Sequence, residues 1–359
     1  GCDQLTTVEF LNDSKLVFIG SKAFSETSIE SITIPPHVLT IGERAFADCL
    51  QLKCIQFSES SQLQTINDQA FYDTAIKSIL IPPTVLVIGK AVFEHCVSLK
   101  NVEFPENSKL KFVSKCPFKD SKIESISMPS NFSCIQNGIF TGTPYLTTVK
   151  LLPCSENSIL HYDGNFILGK SDVCNENYDI LVFARRDIEE SPIPPFIRYI
   201  STSAFQMCTV LETVDLSKLK IEKLNKNTFS NSSIKSITIS AETKIIEQDC
   251  FSDCNQLVAV NFEPNSKLTK IGIGAFYKTS IVSISIPPHV KKIPQSCFYK
   301  CTNLRKIEFT EDSELCQIEF ESLYKTKITS FSVPPNVSNI DRAFIKCYEL
   351  KIIEINERN

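Results

Sequence analysis

Residues Ile29 to Cys49 read IESITIPPHVLTIGERAFADC. The pattern returns at Ile76 to Cys96 as IKSILIPPTVLVIGKAVFEHC, and at Ile281 to Cys301 as IVSISIPPHVKKIPQSCFYKC. Working outward, the motif I-x-x-x-A-F is a ruler for the whole chain. Its aromatic falls at Phe24, Phe46, Phe71, Phe93, Phe118 and Phe140, then at Phe205, Phe229, Phe251, Phe276, Phe298 and Phe344, with Leu323 in the slot between the last two. The first spacings alternate between 22 and 25 residues, so a short and a long unit form a pair every 47 residues. A fixed period in this range marks stacked coils.

The short coil reads I-x-S-I-x-I-P-P-x-V-x-x-I, as from Ile29 to Ile41 and from Ile328 to Ile340. The long coil reads C-x-x-L-x-x-I-x-F and then S-x-L-x-x-I, as from Cys49 to Phe57 with Leu63 and Ile66. In Ser31-Ile32-Thr33-Ile34 the apolar residues alternate, so one face of a short strand turns inward. Pro35 and Pro36 end that strand, because proline has no N–H for a ladder. The chain then returns through Val38 and Ile41 and tucks Phe46 inside. No coil can bury these positions alone, and stacking supplies the missing wall. Gly20, Gly42 and Gly89 follow the core isoleucine, yet Pro294 fills the same slot. Proline requires negative φ, so glycine reads there as a convenience rather than a requirement.

The chain has 359 residues and a net charge of −4, with pI near 5.8. An acidic balance disfavours a nucleic-acid partner. No apolar run is long enough to span a bilayer, and no polybasic run marks a membrane surface. One solenoid is expected over residues 1–359, with both ends cut out of a longer chain and any signal or anchor outside the given residues.

Residues 143–187 break the rhythm. This coil is 18 residues longer than its siblings and carries the turn signal Asp163-Gly164-Asn165 with two apolar runs, Phe166 to Leu168 and Ile180 to Phe183. A hairpin-like excursion is expected, with a polar loop near Ser171 to Asn177, either a tolerated insertion or a projecting binding loop. Ser191 stands in the next coil where Ile32 and Ile79 stand in theirs.

Fifteen cysteines are present. Cys49, Cys96, Cys208, Cys254, Cys301 and Cys347 share a slot that Thr27, Thr74, Ser121, Thr143, Ser232, Thr279 and Thr326 fill in the alternate coils. The slot asks for a small, mildly polar residue. Cysteines two coils apart lie roughly 9–10 Å from each other at strand spacing, too far for disulfides. Cys250-x-x-x-Cys254 and Cys297-x-x-x-Cys301 resemble metal pairs, but Cys250 and Cys297 occupy the alanine slot before the phenylalanine and read as core filler. Cys154 and Cys174, in the irregular coil, are the best disulfide candidates. The four histidines, His37, His95, His161 and His289, are scattered, and no nucleophile elbow, P-loop or H-E-x-x-H is present. No catalytic, metal or cofactor site is therefore expected. The sequons at Asn12, Asn131, Asn231 and Asn336 match chance in a chain this rich in Asn, Ser and Thr, and do not establish secretion.

On each strand the residue between the two core positions faces outward. In long coils these include Glu9, Glu103, Asp215, Glu308 and Glu354; in short coils, Thr33, Ser127, Thr238 and Ser285. A serine file runs beside them at Ser31, Ser78, Ser125, Ser236, Ser283 and Ser330. Acidic-leaning rows alternate with hydroxyl rows. This is either a solvated face or the candidate ligand face.

The pattern S-I-x-I-P-P-x-V-x-x-I-G-x-x-A-F-x-x-C, at Ser31 to Cys49 and Ser78 to Cys96, closely resembles the BspA-type leucine-rich repeats. The resemblance covers nearly the whole chain. Proline stands where the common leucine-rich consensus carries an Asn/Cys ladder. The resemblance implies a β-rich repeat solenoid, a right-handed superhelix with one short parallel-sheet strand per coil. It further implies a non-enzymatic cell-surface or extracellular protein, of a family known from oral and gut bacteria and from trichomonads, that adheres to host or matrix proteins. Two other readings stay open: an intracellular protein-interaction scaffold, which suits many unpaired cysteines, and a non-catalytic part of a larger enzyme.

Overall fold

The computed structural model describes residues 2–11, 13–130, 138–153, 158–172, 174, 176–190 and 192–355. The chain divides into two compact units, Gly1–Tyr178 and Asp179–Asn359. Each is a stack of coils built on parallel strands, with no helix among the described residues.

In the first unit Ser31–Ile34 pairs with Cys54–Phe57, and Ser78–Leu80, Asn101–Glu103, Ser125–Pro129 and Thr148–Leu152 form a four-stranded parallel sheet. The strand Ser31–Ile34 alternates exposed and buried residues, which puts Ile32 and Ile34 in the core. The returning stretches pair as well. Phe18–Ile19, Thr40–Ile41, Thr65–Ile66, Val87–Ile88 and Phe112–Val113 make a second parallel sheet of two-residue strands. Periodicity cannot reveal elements so short.

The second unit repeats the plan. Thr213–Asp215, Ser236–Ile239 and Ala259–Phe262 form one sheet, and Ser283–Ile286 pairs with Lys306–Phe309, as Ser330–Val333 does with Ile352–Ile355. Its returning strands run Ile180–Ala184, Tyr199–Ile200, Lys223–Leu224, Ile245–Ile246 and Lys270–Ile271.

The remaining wall is the turn that carries the phenylalanine. Arg44 and Asp48 flank Phe46 with φ of 52° and 62°, and the pattern recurs in coil after coil at Gln69 and Asp73, Asn227 and Asn231, and Ser296 and Lys300. These left-handed residues let alternate N–H groups point along the stack. Arg44, Phe46 and Asp48 donate to the Asp68, Ala70 and Tyr72 carbonyls of the next coil at 3.0, 2.8 and 2.8 Å. That ladder repays backbone strain which residues other than Gly, Asn and Asp avoid. It also sets the rings one above another. Phe24, Phe46, Phe71, Phe93 and Phe118 stack at 5.3, 5.5, 5.6 and 5.8 Å. Phe205, Phe229, Phe251, Phe276 and Phe298 stack at 5.1, 5.4, 5.3 and 5.4 Å. Phe344 follows Leu323, has no ring to stack on, and meets Phe331 edge-on at 5.1 Å.

One expectation needs correction. The glycine after the core isoleucine is a convenience at Gly20, where a Cβ would meet nothing nearer than 3.9 Å, but not in every coil. A Cβ at Gly42, Gly89 or Gly272 would meet backbone of the preceding coil at 2.7, 2.5 or 2.4 Å. Close approach favours glycine at these three positions, without a left-handed turn, while Asn67, Glu247 and Pro294 fill the slot in other coils. Residues 143–187 hold a hairpin around the turn signal. Leu160–Tyr162 pairs antiparallel with Phe166–Gly169 around Asp163-Gly164-Asn165, whereas Ile180–Ala184 pairs parallel with Tyr199–Ile200 in the second unit. Asp163 Oδ1 fixes the hairpin turn, accepting the Asn165 and Phe166 N–H groups at 2.9 and 2.7 Å. The expected polar loop is exposed at Ser171, Asp172, Cys174, Glu176 and Asn177. Ser191 lies outside the described residues.

Candidate functional site

The outward strand positions form one file in each unit. In the first unit Thr33 stands beside Gln56, Leu80 beside Glu103, and Ser127 beside Lys150. In the second unit Asp215, Thr238 and Asn261 are neighbours, as are Ser285 and Glu308, and Ser332 and Glu354. Glu9 is exposed but lies outside any strand, since Val8-Glu9-Phe10 alternates without pairing. A depression of about 680 Å³ lies over Glu9 and Thr33, and one of about 720 Å³ over Ser285 and Glu308.

The file residues are not equally available. Asp215 Oδ1 accepts the Ser217 N–H at 2.8 Å, and this bond holds its carboxyl below the usual range. Ser127 Oγ turns back to the Phe104 backbone, accepting its N–H at 3.1 Å. Glu103 accepts from the Asn101 amide, and Glu308 pairs with Lys306 on its own strand. Thr33 Oγ1 reaches Gln56 Oε1 at 3.4 Å.

The shared Cys/Thr slot is structural. Thr27 Oγ1 donates to the Phe24 carbonyl at 2.9 Å, and the Cys49 thiol of the next coil reaches the same oxygen at 2.9 Å. Cys96, Cys254 and Cys301 repeat this on Phe71, Phe229 and Phe276 at 3.0, 2.9 and 3.0 Å. Burial pushes these thiols up, to about 11 at Cys96 and about 12 at Cys254 and Cys301, which keeps them protonated donors. Cys250 and Cys297 are wholly buried core, as their slot implies. Cys174 is exposed and free, and its expected partner Cys154 lies outside the described residues.

Three groupings escape a linear reading. Glu94, His95 and Asp120 place ligand-type atoms within 4.8 Å of one another. Lys119 already occupies the space, with Nζ 2.7 Å from Glu94 and 3.4 Å from Asp120, and its bond to Glu94 raises its pKa. An ammonium there answers the carboxylates that a cation would need. Arg186 is buried to 1% exposure, donates to the Ala184 and Ala204 carbonyls at 3.4 and 3.0 Å, and lies 4.5 Å from the Phe183 ring centre. Finally, Tyr277, Tyr299 and Tyr324 stack in consecutive coils at 5.0 and 4.4 Å. Their signal was in plain view: Tyr-Lys follows the ruler position at 277–278, 299–300 and 324–325.

A family model described as BspA-type leucine-rich repeat region, in six copies, matches residues 1–85, 64–162, 181–293 and 269–359. No curated protein matches the chain. Among solved structures, the pneumococcal vaccine antigen PcpA is similar at a TM-score of 0.68 and 20% identity, over 96% of this chain and 85% of that one. A leucine-rich repeat protein from Eubacterium ventriosum is similar at a TM-score of 0.59 and 17% identity, over 96% and 82%. At these identities the likeness establishes the fold. No helix among the described residues is long and apolar enough to cross a membrane.

Proposed function

The chain belongs to the BspA-type leucine-rich repeat family, and from that premise we propose that it is a non-enzymatic cell-surface or extracellular binding protein whose strand face meets a protein of the host or its matrix. The face carries this reading. Each coil adds one outward side chain in register to a file of carboxylates, amides and hydroxyls, over a core that fixes the backbone beneath. Such a surface grows with coil number and gains specificity from the order of residues along it. The antigen character printed for PcpA agrees with a surface location.

Glu103→Lys combined with Glu308→Lys tests the face. Both residues are exposed, so the melt should hold within about 0.5 kcal/mol while affinity for a captured protein ligand falls. Unchanged affinity would remove the strand face from the site and move it to the Leu160–Gly169 hairpin or the turn edge. Antibody labelling of intact, unpermeabilised cells tests the location, and a signal only after permeabilisation would sink the surface reading. One observation favours the intracellular scaffold as second reading: every described cysteine is free, a state that suits a reducing compartment.

A further inference from the structure

In the second unit the two positions after the core ruler residue hold Tyr277-Lys278, Tyr299-Lys300 and Tyr324-Lys325, and the next coil brings Lys346 to the same slot. The three rings lie nearly parallel, 7° and 5° apart. Lys278, Lys300 and Lys325 each reach over the adjoining tyrosine, 5.0, 5.4 and 5.7 Å from its ring centre, and Lys346 lies 5.5 Å from that of Tyr324. The result is a row of four ammonium groups on a rigid aromatic floor, one per coil.

Packing does not require this row. Like charges in register on adjacent coils repel. Several lysines elsewhere meet a carboxylate one coil away, as in Lys53–Glu30 at 3.2 Å, Lys244–Glu222 at 2.8 Å and Lys267–Glu242 at 2.8 Å. Here Lys278 has Asp253 at 3.3 Å. Among the described residues, no carboxylate comes within 4.0 Å of Lys300, Lys325 or Lys346. Glu321, whose charge acts on the Tyr299 and Tyr324 hydroxyls, is the acid in this neighbourhood and stays beyond that distance. The backbone opposes lysine too. The four residues have φ of 54°, 57°, 57° and 58°, a region that favours Gly, Asn and Asp. Asn231 and Asp253 hold the slot in the two preceding coils, and in the first unit it holds Glu26, Asp48, Asp73, His95 and Asp120. Four successive lysines therefore put like charge in register on adjacent coils, three of them without a carboxylate partner, a repulsion that a bound polyanion relieves.

The chemistry of the strip selects its occupant. The tyrosine faces are covered by one another and by the ammonium groups, so they offer no platform for nucleic-acid bases. It presents hydroxyl edges and, at Lys300, Lys325 and Lys346, successive ammonium groups with no carboxylate within 4.0 Å among the described residues. We propose that Lys278, Lys300, Lys325 and Lys346, on the Tyr277–Tyr299–Tyr324 floor, dock a linear sulfated polysaccharide along the coil axis. Cation–π contacts hold the ammonium groups in place beforehand, which lowers the ordering cost of binding. The strip uses none of the strand-face residues, so it stands or falls separately from them.

The probe is heparin, with fully desulfated heparin beside it, and affinity is read against salt concentration. The full chain should bind heparin at about 0.15 M salt and release it as salt rises. Lys300→Gln with Lys325→Gln and Lys346→Gln should weaken binding roughly tenfold to a hundredfold and flatten the salt dependence. The same three positions changed to Arg should retain binding, which separates lost charge from lost folding. A control triple, Lys53→Gln with Lys235→Gln and Lys267→Gln, removes equal net charge from paired positions and should leave affinity unchanged. Absence of heparin binding, equal losses in both Gln triples, or undiminished binding of the desulfated polymer would each overturn the proposal. Preference for polyglutamate or single-stranded DNA over heparin would overturn it as well, as would a salt-sensitive self-association abolished by the same triple without heparin binding.

Discussion

At the scale of single residues, the Cys96 thiol shows how a repeat slot can tolerate two chemistries. The Phe71 carbonyl emerges from its turn with room for a donor, and both the Thr74 hydroxyl and the Cys96 thiol supply one, at 3.2 and 3.0 Å. A sequence reader sees Thr and Cys alternate and infers a small polar requirement. The carbonyl that imposes it is visible only in three dimensions. A pH dependence follows. Folding raises the Cys96 pKa from 9.0 to about 11 and those of Cys254 and Cys301 to about 12. Below pH 9 these thiols are protonated in both states and add no pH dependence. Above it the unfolded chain gives up protons that the folded chain keeps, so the stability they contribute is lost as pH rises through this window, at about 1 kcal/mol per pH unit for each buried thiol. Denaturant unfolding of the wild type should therefore weaken more steeply between about pH 9 and pH 11 than that of a variant with Cys96, Cys254 and Cys301 changed to Ser. Parallel curves would show that the column does not stay protonated.

At the scale of the coil, strands and core were legible because alternation and a fixed period survive in any coil that buries the same positions. Ile32, Ile34, Val38, Ile41, Phe46 and Cys49 are each at most 3% exposed, as the stretch from Ile29 to Cys49 requires. The left-handed pairs around each phenylalanine were not legible, for a physical reason. Lysine, glutamate, arginine and methionine occupy those slots, because the N–H ladder to the next coil outweighs local preference. The strand face could be read from alternation, but the Glu94–His95–Asp120 cluster needed the 25-residue offset that brings Lys119 and Asp120 beside the preceding turn. Glycine was misread for a related reason. Its role lies in the distance between coils, which no single coil encodes. Gly272→Ala should destabilise the second unit by about 1–3 kcal/mol, since its Cβ meets the Gln248 backbone nitrogen at 2.4 Å and that backbone is held by its own ladder. Gly20→Ala, whose Cβ has no neighbour nearer than 3.9 Å, is the control and should stay within about 0.5 kcal/mol in the same urea titration. Equal effects would mean that the coils yield where the geometry says they touch.

At the scale of the molecule, what matters is how far a disturbance travels. The ring stacks and turn ladders join a coil to its immediate neighbours, 20 to 25 residues away in sequence. A protein held this way is close to one-dimensional, and its stability is a sum of coils and the interfaces between them. Phe71 is wholly buried, with Phe46 at 5.5 Å on one side and Phe93 at 5.6 Å on the other. Phe71→Ala removes two ring contacts and leaves a cavity, at a cost of roughly 3–5 kcal/mol. The reach of that cost is the sharper test. Amide hydrogen exchange should accelerate in the coils of Phe46, Phe71 and Phe93 and remain unchanged around Phe251 and Phe276 in the second unit. The melt should broaden or split as coils on either side of the defect uncouple. If protection instead fell evenly along the chain and a single sharp melt merely shifted, the coils would be sharing one global equilibrium. Neighbour-to-neighbour packing would then be too weak an account of what holds them together.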